Sequence, residues 1–252
     1  MRRLRPFILI VVLLAAWEIA ARSGLWSPIL FPSLERIGRE FWLFVSRPDG
    51  FWQTWTSLYR TFSGFALAAV VGVALGMLMG RSPIVAELLD PLFSGTYAVP
   101  KLALFPIFIF VFGLGSLSKV VLIFLECLYP MTIITYHGAR GVSPILIWSA
   151  QNMGASRART LMRVVFPAML PYVFAALRVA LPVALIVAII TEMISSVDGL
   201  GYLVSTSLSA LRTDRMLALV VVISLLGLVL DHALVALRDR LVYWEKLDTF
   251  YV

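Results

Sequence analysis

Four carboxylates, Glu18, Glu126, Glu192 and Asp231, stand in or beside long apolar runs of the 252-residue chain. An ionisable group in such a run is expensive, so each is a candidate for work on an ion or a solute. Glu18, Glu126 and Asp231 read as lying toward the ends of their runs, where a carboxylate reaches a polar boundary or finds a structural partner. Glu192 differs, because it follows a series of small residues and precedes Asp198-Gly199-Leu200-Gly201, a tight turn that it would either hold or gate. Arg60 and Lys101 could attract an anion, although single basic residues near the end of an apolar run commonly snorkel to its boundary. Other chemistry has no residues to stand on. His137 and His232 have no partner at metal-ligand spacing, and no Ser-His-Asp or paired-carboxylate constellation is visible. None of the three lysines, Lys101, Lys119 and Lys246, follows a glycine, so no phosphate-binding P-loop exists. Cys127 is the only cysteine and lies in an apolar run, which removes disulfide frameworks and cysteine metal sites and leaves a packed thiol.

The elements that position these residues need an apolar solvent. Hydrophobic residues make up 61% of the chain and charged residues 14%, against about 25% charged in ordinary soluble domains. Several apolar runs approach the roughly 20 residues that cross a bilayer as a helix. The net charge of +7 comes from 21 Lys and Arg scattered in ones, twos and threes, a pattern of membrane topology rather than a nucleic-acid face.

Six spans are expected. Phe7 to Ala21 reads as a retained first span, since Glu18 and Arg22 spoil a cleavage site. Arg22 to Gln53 follows, with an amphipathic interfacial helix capped at Phe31-Pro32-Ser33, so that residues 1–53 form an N-terminal unit. The main transmembrane domain, 54–237, begins with span two, about Thr54 to Gly80, where Gly64, Ala68, Gly72, Gly76 and Gly80 make one small stripe suited to a close helix neighbour. A polar link from Arg81 to Asp90 leads to span three, about Pro91 to Gly113, interrupted by Pro100, Lys101 and Pro106. Span four is about Leu117 to Tyr136. Span five, about Tyr172 to Ser195, carries Ala176, Ala180, Ala184 and Ala188 in its own stripe, with span two as the expected partner. A polar stretch to Arg215 precedes span six, about Met216 to Leu237, and 238–252 is a tail.

Placing Arg2, Arg3, Arg5, Arg81, Arg140, Arg157, Arg159, Arg163, Arg238, Arg240 and Lys246 on one side makes both termini and the 137–171 loop cytoplasmic. Arg22, Arg36, Arg39, Arg47, Lys119, Arg212 and Arg215 fall opposite, so the bias is modest.

That loop is too long to be a simple turn. Ser143-Pro144 offers a helix start, Ala150, Gly154 and Ala158 recur every fourth residue to Met162, and Phe166-Pro167 with Pro171 is expected to end the segment. A short helix with a small face, flanked by arginines and held between two breaks, could take a push from another protein.

Here the sequence resembles a family. Trp148-Ser149-Ala150-Gln151-Asn152-Met153-Gly154, then Val164, Phe166 and Pro167, follows the signature loop of ABC importer permeases, which reads Glu-Ala-Ala, three residues, Gly, nine residues, Ile, one residue, Leu-Pro. Trp148 and Ser149 depart from it, while Ala150, Gly154 and Pro167 keep their places. Leu30-Phe31-Pro32-Ser33, Ser57-Leu58-Tyr59-Arg60 with Gly64-Phe65, Pro106 to Gly115, and Glu192 with Asp198-Gly199-Leu200-Gly201-Tyr202 look like landmarks of the nitrate, sulfonate and taurine branch.

The resemblance implies an all-α polytopic protein with the type I importer permease fold, its coupling helix between spans four and five. It implies a permease of the bacterial plasma (inner) membrane with no enzymatic activity and no cofactor, ATP and Mg being bound by a cytoplasmic ABC ATPase dimer. A second permease copy and an extracytoplasmic binding protein complete the importer, and no nucleic acid takes part. Trp148, Ser149, Ala150, Gly154, Ala155, Ser156, Arg157 and Pro167 would meet the ATPase, and Glu192, Lys101 and Arg60 are path or gate candidates. A secondary transporter or channel is the alternative, but it leaves the loop helix unexplained.

Overall fold

A computed structural model describes residues 5–97 and 99–244. Arg2, Arg3, Lys246 and the tail beyond Trp244 lie outside the described residues.

The described residues form ten helices: α1 (Arg5–Arg22), α2 (Leu34–Val45), α3 (Pro48–Arg81), α4 (Pro83–Tyr97), α5 (Phe105–Phe112), α6 (Ser116–Arg140), α7 (Pro144–Asn152), α8 (Arg157–Ser195), α9 (Leu200–Ser209) and α10 (Thr213–Leu241). Proline opens α3, α4 and α7, where its missing N–H would have no helical partner anyway. Four helices, α3, α6, α8 and α10, are long and apolar enough to cross a membrane, and α4 with α5 makes a fifth span if the pair, bent by 81°, is taken together. Four or five of the six expected spans meet this measure of length and composition, and α1 falls outside it because Arg5, Glu18 and Arg22 crowd its 18 residues.

Three expectations are corrected. The stretch Arg81 to Asp90 is not a polar link, since Pro83 starts a helix that carries Glu87 and Asp90 on through Tyr97. Pro167 and Pro171 do not end the loop, because Leu161–Val165 takes a π turn and α8 continues to Ser195. A proline removes one donor and presses on the preceding turn; a wider turn just upstream relieves both. The segment between Ser196 and Arg215, read only as a polar stretch, contains the helix α9.

Contacts divide the chain into two compact units whose boundaries fall inside α3, α8 and α10. The unit of Met1–Leu58 and Ile189–Leu226 has a core of Leu200, Val204, Leu219 and Val222, against which Phe41 and Phe44 of α2 pack. Its entry is pinned by Trp17, which stacks on Phe31 at 4.0 Å and donates to the Pro32 carbonyl at 3.1 Å.

In the unit of Tyr59–Ala188 and Gly227–Val252, the core gathers Ala68, Leu122, Cys127, Met131, Ala176, Ala180 and Ala184. The glycines of the α3 stripe pack on α6, while Ala68 of that stripe shares a core cluster with the alanines of α8. A Cβ on Gly72 would lie 2.5 Å from the Met131 Cβ, and one on Gly76 2.5 Å from the Thr132 carbonyl. The alanine stripe of α8 also meets α6, where the Cys127 thiol points at the Ala180 carbonyl at 3.5 Å. Periodicity marks a helix face that accepts a close neighbour; it does not say which neighbour.

Candidate coupling loop and carboxylate clamp

The loop after α6 is built as a stop followed by a restart. Helix α7 ends when Gly154 takes φ +84°, with its N–H donating to the Gln151 carbonyl at 2.9 Å and the Ala155 N–H reaching back to Ala150 at 3.0 Å. These are the paired bonds of a Schellman stop, which glycine makes without Cβ strain. Ser156 then restarts the chain, its hydroxyl accepting from the Arg159 N–H at 3.4 Å at the first turn of α8. Ala150, Gly154 and Ala158 therefore do not share one helix face as expected, because Gly154 ends the helix and Ala158 belongs to the next one.

Ile147 and Ala150 bury one side of α7, with Ile147 joining Val142, Val165 and Met169 in a small core. The opposite side is apolar and bare: Ile145, Leu146, Trp148 and Met153 are 68%, 50%, 62% and 82% exposed. Ser149, Ser156, Arg157, Arg159 and Arg163 are also exposed, Ala155 and Pro167 are half-buried, and no acidic residue occurs between Arg140 and Pro171. Trp148 and Ser149, the positions that depart from the signature, sit on or beside the bare side.

The second constellation surrounds Glu192, which is completely buried near the end of α8. Its Oε2 accepts from the Ser57 hydroxyl at 2.7 Å and the Gly201 N–H at 3.0 Å. Ser57 accepts in turn from the Leu200 N–H at 2.8 Å, and the Gln53 side-chain carbonyl accepts from the Gly199 N–H. Three successive N–H groups at the start of α9 are thus held by the side chains of Gln53, Ser57 and Glu192. Gly199 has φ +98°, and a Cβ there would lie 2.4 Å from the Glu192 carboxyl carbon; one on Gly201 would lie 2.2 Å from the Ile189 carbonyl. The run Asp198-Gly199-Leu200-Gly201 is a cradle into which the carboxylate is pressed.

The remaining candidates separate clearly. Arg60 is 3% exposed and donates through Nε to the Ser116 hydroxyl at 3.0 Å. Lys101 stands at the break between α4 and α5, its ammonium 5.9 Å from the centre of the Tyr129 ring. Glu18 accepts from the Leu34 N–H at 2.8 Å and pairs with Arg22, and Asp231 takes a two-pronged bond from Arg178 at 2.9 and 3.1 Å. Glu126 does not follow them. It lies mid-helix in α6, ten residues from Ser116, so the expectation of a span-end carboxylate is wrong for it.

Sequence reasoning overlooked Lys119, counted only among scattered basic residues. It is fully buried, and its ammonium donates to the carbonyls of Leu114 at 2.8 Å and Gly115 at 3.1 Å. The signal was a lysine four and five residues after the Gly113-Leu114-Gly115 turn.

Residues 72–243 match the family described as the binding-protein-dependent transport system inner membrane component. The chain belongs to this family. The permease is 34% identical to the taurine transport system permease protein TauC of Escherichia coli (strain K12) over 242 residues, which cover 94% of this chain and 88% of that protein. It is 31% identical to the bicarbonate transport system permease protein CmpB of Synechococcus elongatus over 239 residues, covering 91% and 86%. A chain of the MetNI methionine ABC transporter, solved in inward-facing conformations, shares the fold with a TM-score of 0.62 at 16% identity, covering 74% of this chain and 93% of that one. The permease is therefore a multi-pass inner-membrane subunit of an ABC importer, without catalytic activity or cofactor of its own. ATP is bound by a partner ATPase, and a substrate-binding protein is the other implied partner.

Proposed function

We propose that the permease carries a small solute with an anionic head group through the inner membrane, driven by an ATPase that docks on α7. The bare apolar side of α7 carries this reading: Ile145, Leu146 and Trp148 of the helix and Met153 at its C-cap are exposed just ahead of a glycine stop and a serine restart, beside exposed arginines. Burying that side against a partner would recover about 25 cal/mol per Å² of apolar surface. The coupling helix is α7 alone, nine residues long, with Gly154 acting as its stop. Because α8 runs unbroken from Arg157 into the membrane, a displacement of the loop has a stiff lever to move.

The solute class rests on the relatives whose names specify taurine, nitrate and bicarbonate transport. The sixth span is α1, whose residues Ile8 to Leu14 are each about half exposed or more, as lipid contact requires. Two copies of the chain form the passage, with both termini and α7 cytoplasmic, an orientation supported by the arginines of the loop and of the end of α10. Glu192 serves the gate by fixing the start of α9, so that α8 and α9 move together.

The test is uptake into proteoliposomes holding the permease and its ATPase, with binding protein and radiolabelled taurine, nitrate or bicarbonate outside. ATP-dependent accumulation of one of them that stops without the ATPase is the expected result. Accumulation driven by a proton gradient with no ATPase present would replace the reading with a secondary transporter.

A further inference from the structure

We infer that the groove between the α4–α5 break and the middle of α6 is a solute-binding station, built for a small zwitterion rather than for a simple inorganic anion. The inference rests on the importer reading and narrows its solute.

The groove, about 520 Å³, is bordered by Pro100 and Lys101 at the break, by Glu126, Tyr129 and Pro130 of α6, and by Val179 and Val183 of α8. Glu126 lies ten residues into the 25-residue α6, about 15 Å along its axis at 1.5 Å per residue, so it sits deep whichever way the helix crosses. Among the described residues, neither its carboxylate nor the Lys101 ammonium makes a hydrogen bond or ion pair; the lysine has only the Tyr129 ring. Glu18 and Asp231, two other carboxylates of apolar helices, both have a basic partner. A bare carboxylate at that depth is tolerated only where it faces water or a ligand.

The break gives the same indication independently. From Val99 to Leu104 the described chain is not α-helical: Lys101–Leu104 is a short 3-10 segment, and the helices on either side are bent by 81°. Non-helical backbone at membrane depth survives where it lines a wet cavity or is buried in protein, and broken helices in transporters commonly frame the solute.

The chemistry of the lining selects the ligand. Lys101, poised over Tyr129, supplies a cation for a sulfonate or carboxylate head. Glu126 supplies an anion that would repel nitrate or bicarbonate but would receive an ammonium group. The two are not within pairing distance of each other, which leaves room for a ligand with both charges to lie between them. Val179 and Val183 give an apolar wall for a short carbon linker.

The experiment uses the permease assembled with its ATPase in proteoliposomes, with Cys127→Ser as background because Cys127 is the sole cysteine and is buried. Glu126→Cys and Lys101→Cys are then exposed to a membrane-impermeant, charged thiol reagent, with and without taurine as the zwitterionic probe. Both positions are expected to react in at least one nucleotide state, and taurine to slow the reaction several-fold. No reaction at either position in both the nucleotide-free and the ATP-trapped assembly overturns the station. In uptake, Glu126→Gln is expected to lower taurine transport about tenfold, the factor for losing roughly 1.4 kcal/mol of charge contact. A parent that accumulates nitrate or bicarbonate with ATP but not taurine overturns the zwitterion assignment while leaving the importer reading standing. A parent that neither holds an ATPase nor uses ATP fails the importer reading instead.

Discussion

Gly154 and Gly199 look alike in sequence, each a glycine just ahead of a helix, and both adopt a positive φ, +84° and +98°. Their surroundings differ completely. A Cβ on Gly154 would meet nothing within 4 Å, whereas one on Gly199 would strike the buried Glu192 carboxylate. At Gly154 the residue is chosen for a backbone angle alone, and the loop around it is left bare on one side. At Gly199 it is chosen for angle and space together, because three consecutive N–H groups and a carboxylate share the volume. An exposed loop with an apolar face is suited to a partner, and a filled clamp is suited to holding the start of α9 against side chains of α3 and α8.

Substitutions can break or sharpen this contrast. The largest effect is expected from Glu192→Ala, which leaves the Ser57 hydroxyl and the Gly201 N–H without this acceptor and opens a void. A loss of about 4 kcal/mol, read as an earlier unfolding midpoint in an SDS titration, follows from two weakened buried bonds plus the cavity. Gly199→Ala is next, at about 3 kcal/mol, combining the cost of an extended positive-φ backbone that is essentially glycine's alone with displacement of the carboxylate. Gly154→Ala carries only the backbone penalty, about 1–2 kcal/mol, and Gly154→Asn should recover part of it because asparagine tolerates that conformation. Equal losses for Gly154→Ala and Gly199→Ala in the same titration would erase the contrast. The smallest change in stability belongs to Trp148→Ala, under about 0.5 kcal/mol for an exposed side chain with little to lose in the isolated chain. Its effect should appear instead as reduced retention of the ATPase.

Much of the fold was legible because apolar runs of bilayer length have few alternatives to the helix, and the short helix after Ser143-Pro144 appears where its cap and arginines put it. The small-residue stripes announced close approach correctly, yet both turn toward α6, since a stripe encodes a face without encoding a partner. Gly154 was legible as a small residue but not as a stop, because φ is set by the bonds of Ala155 and Gly154 back to Ala150 and Gln151. Pro171 reads as a terminator in water; inside α8 the chain tolerates it. Lys119 and Glu126 were the hardest. Whether a charge is sheathed by nearby carbonyls, as Lys119 is, or left facing a groove, as Glu126 is, depends on neighbours that spacing does not reveal.

The measurement that bears most directly on the coupling role of α7 is a pull-down of the ATPase on the tagged permease in mild detergent, comparing the parent with Trp148→Asp and Gly154→Trp. The account predicts copurification with the parent and loss with both variants, while Trp148→Asp leaves the permease's own unfolding midpoint unchanged. Full retention of the ATPase by Trp148→Asp and Gly154→Trp, or a parent that purifies alone and still transports, would contradict it.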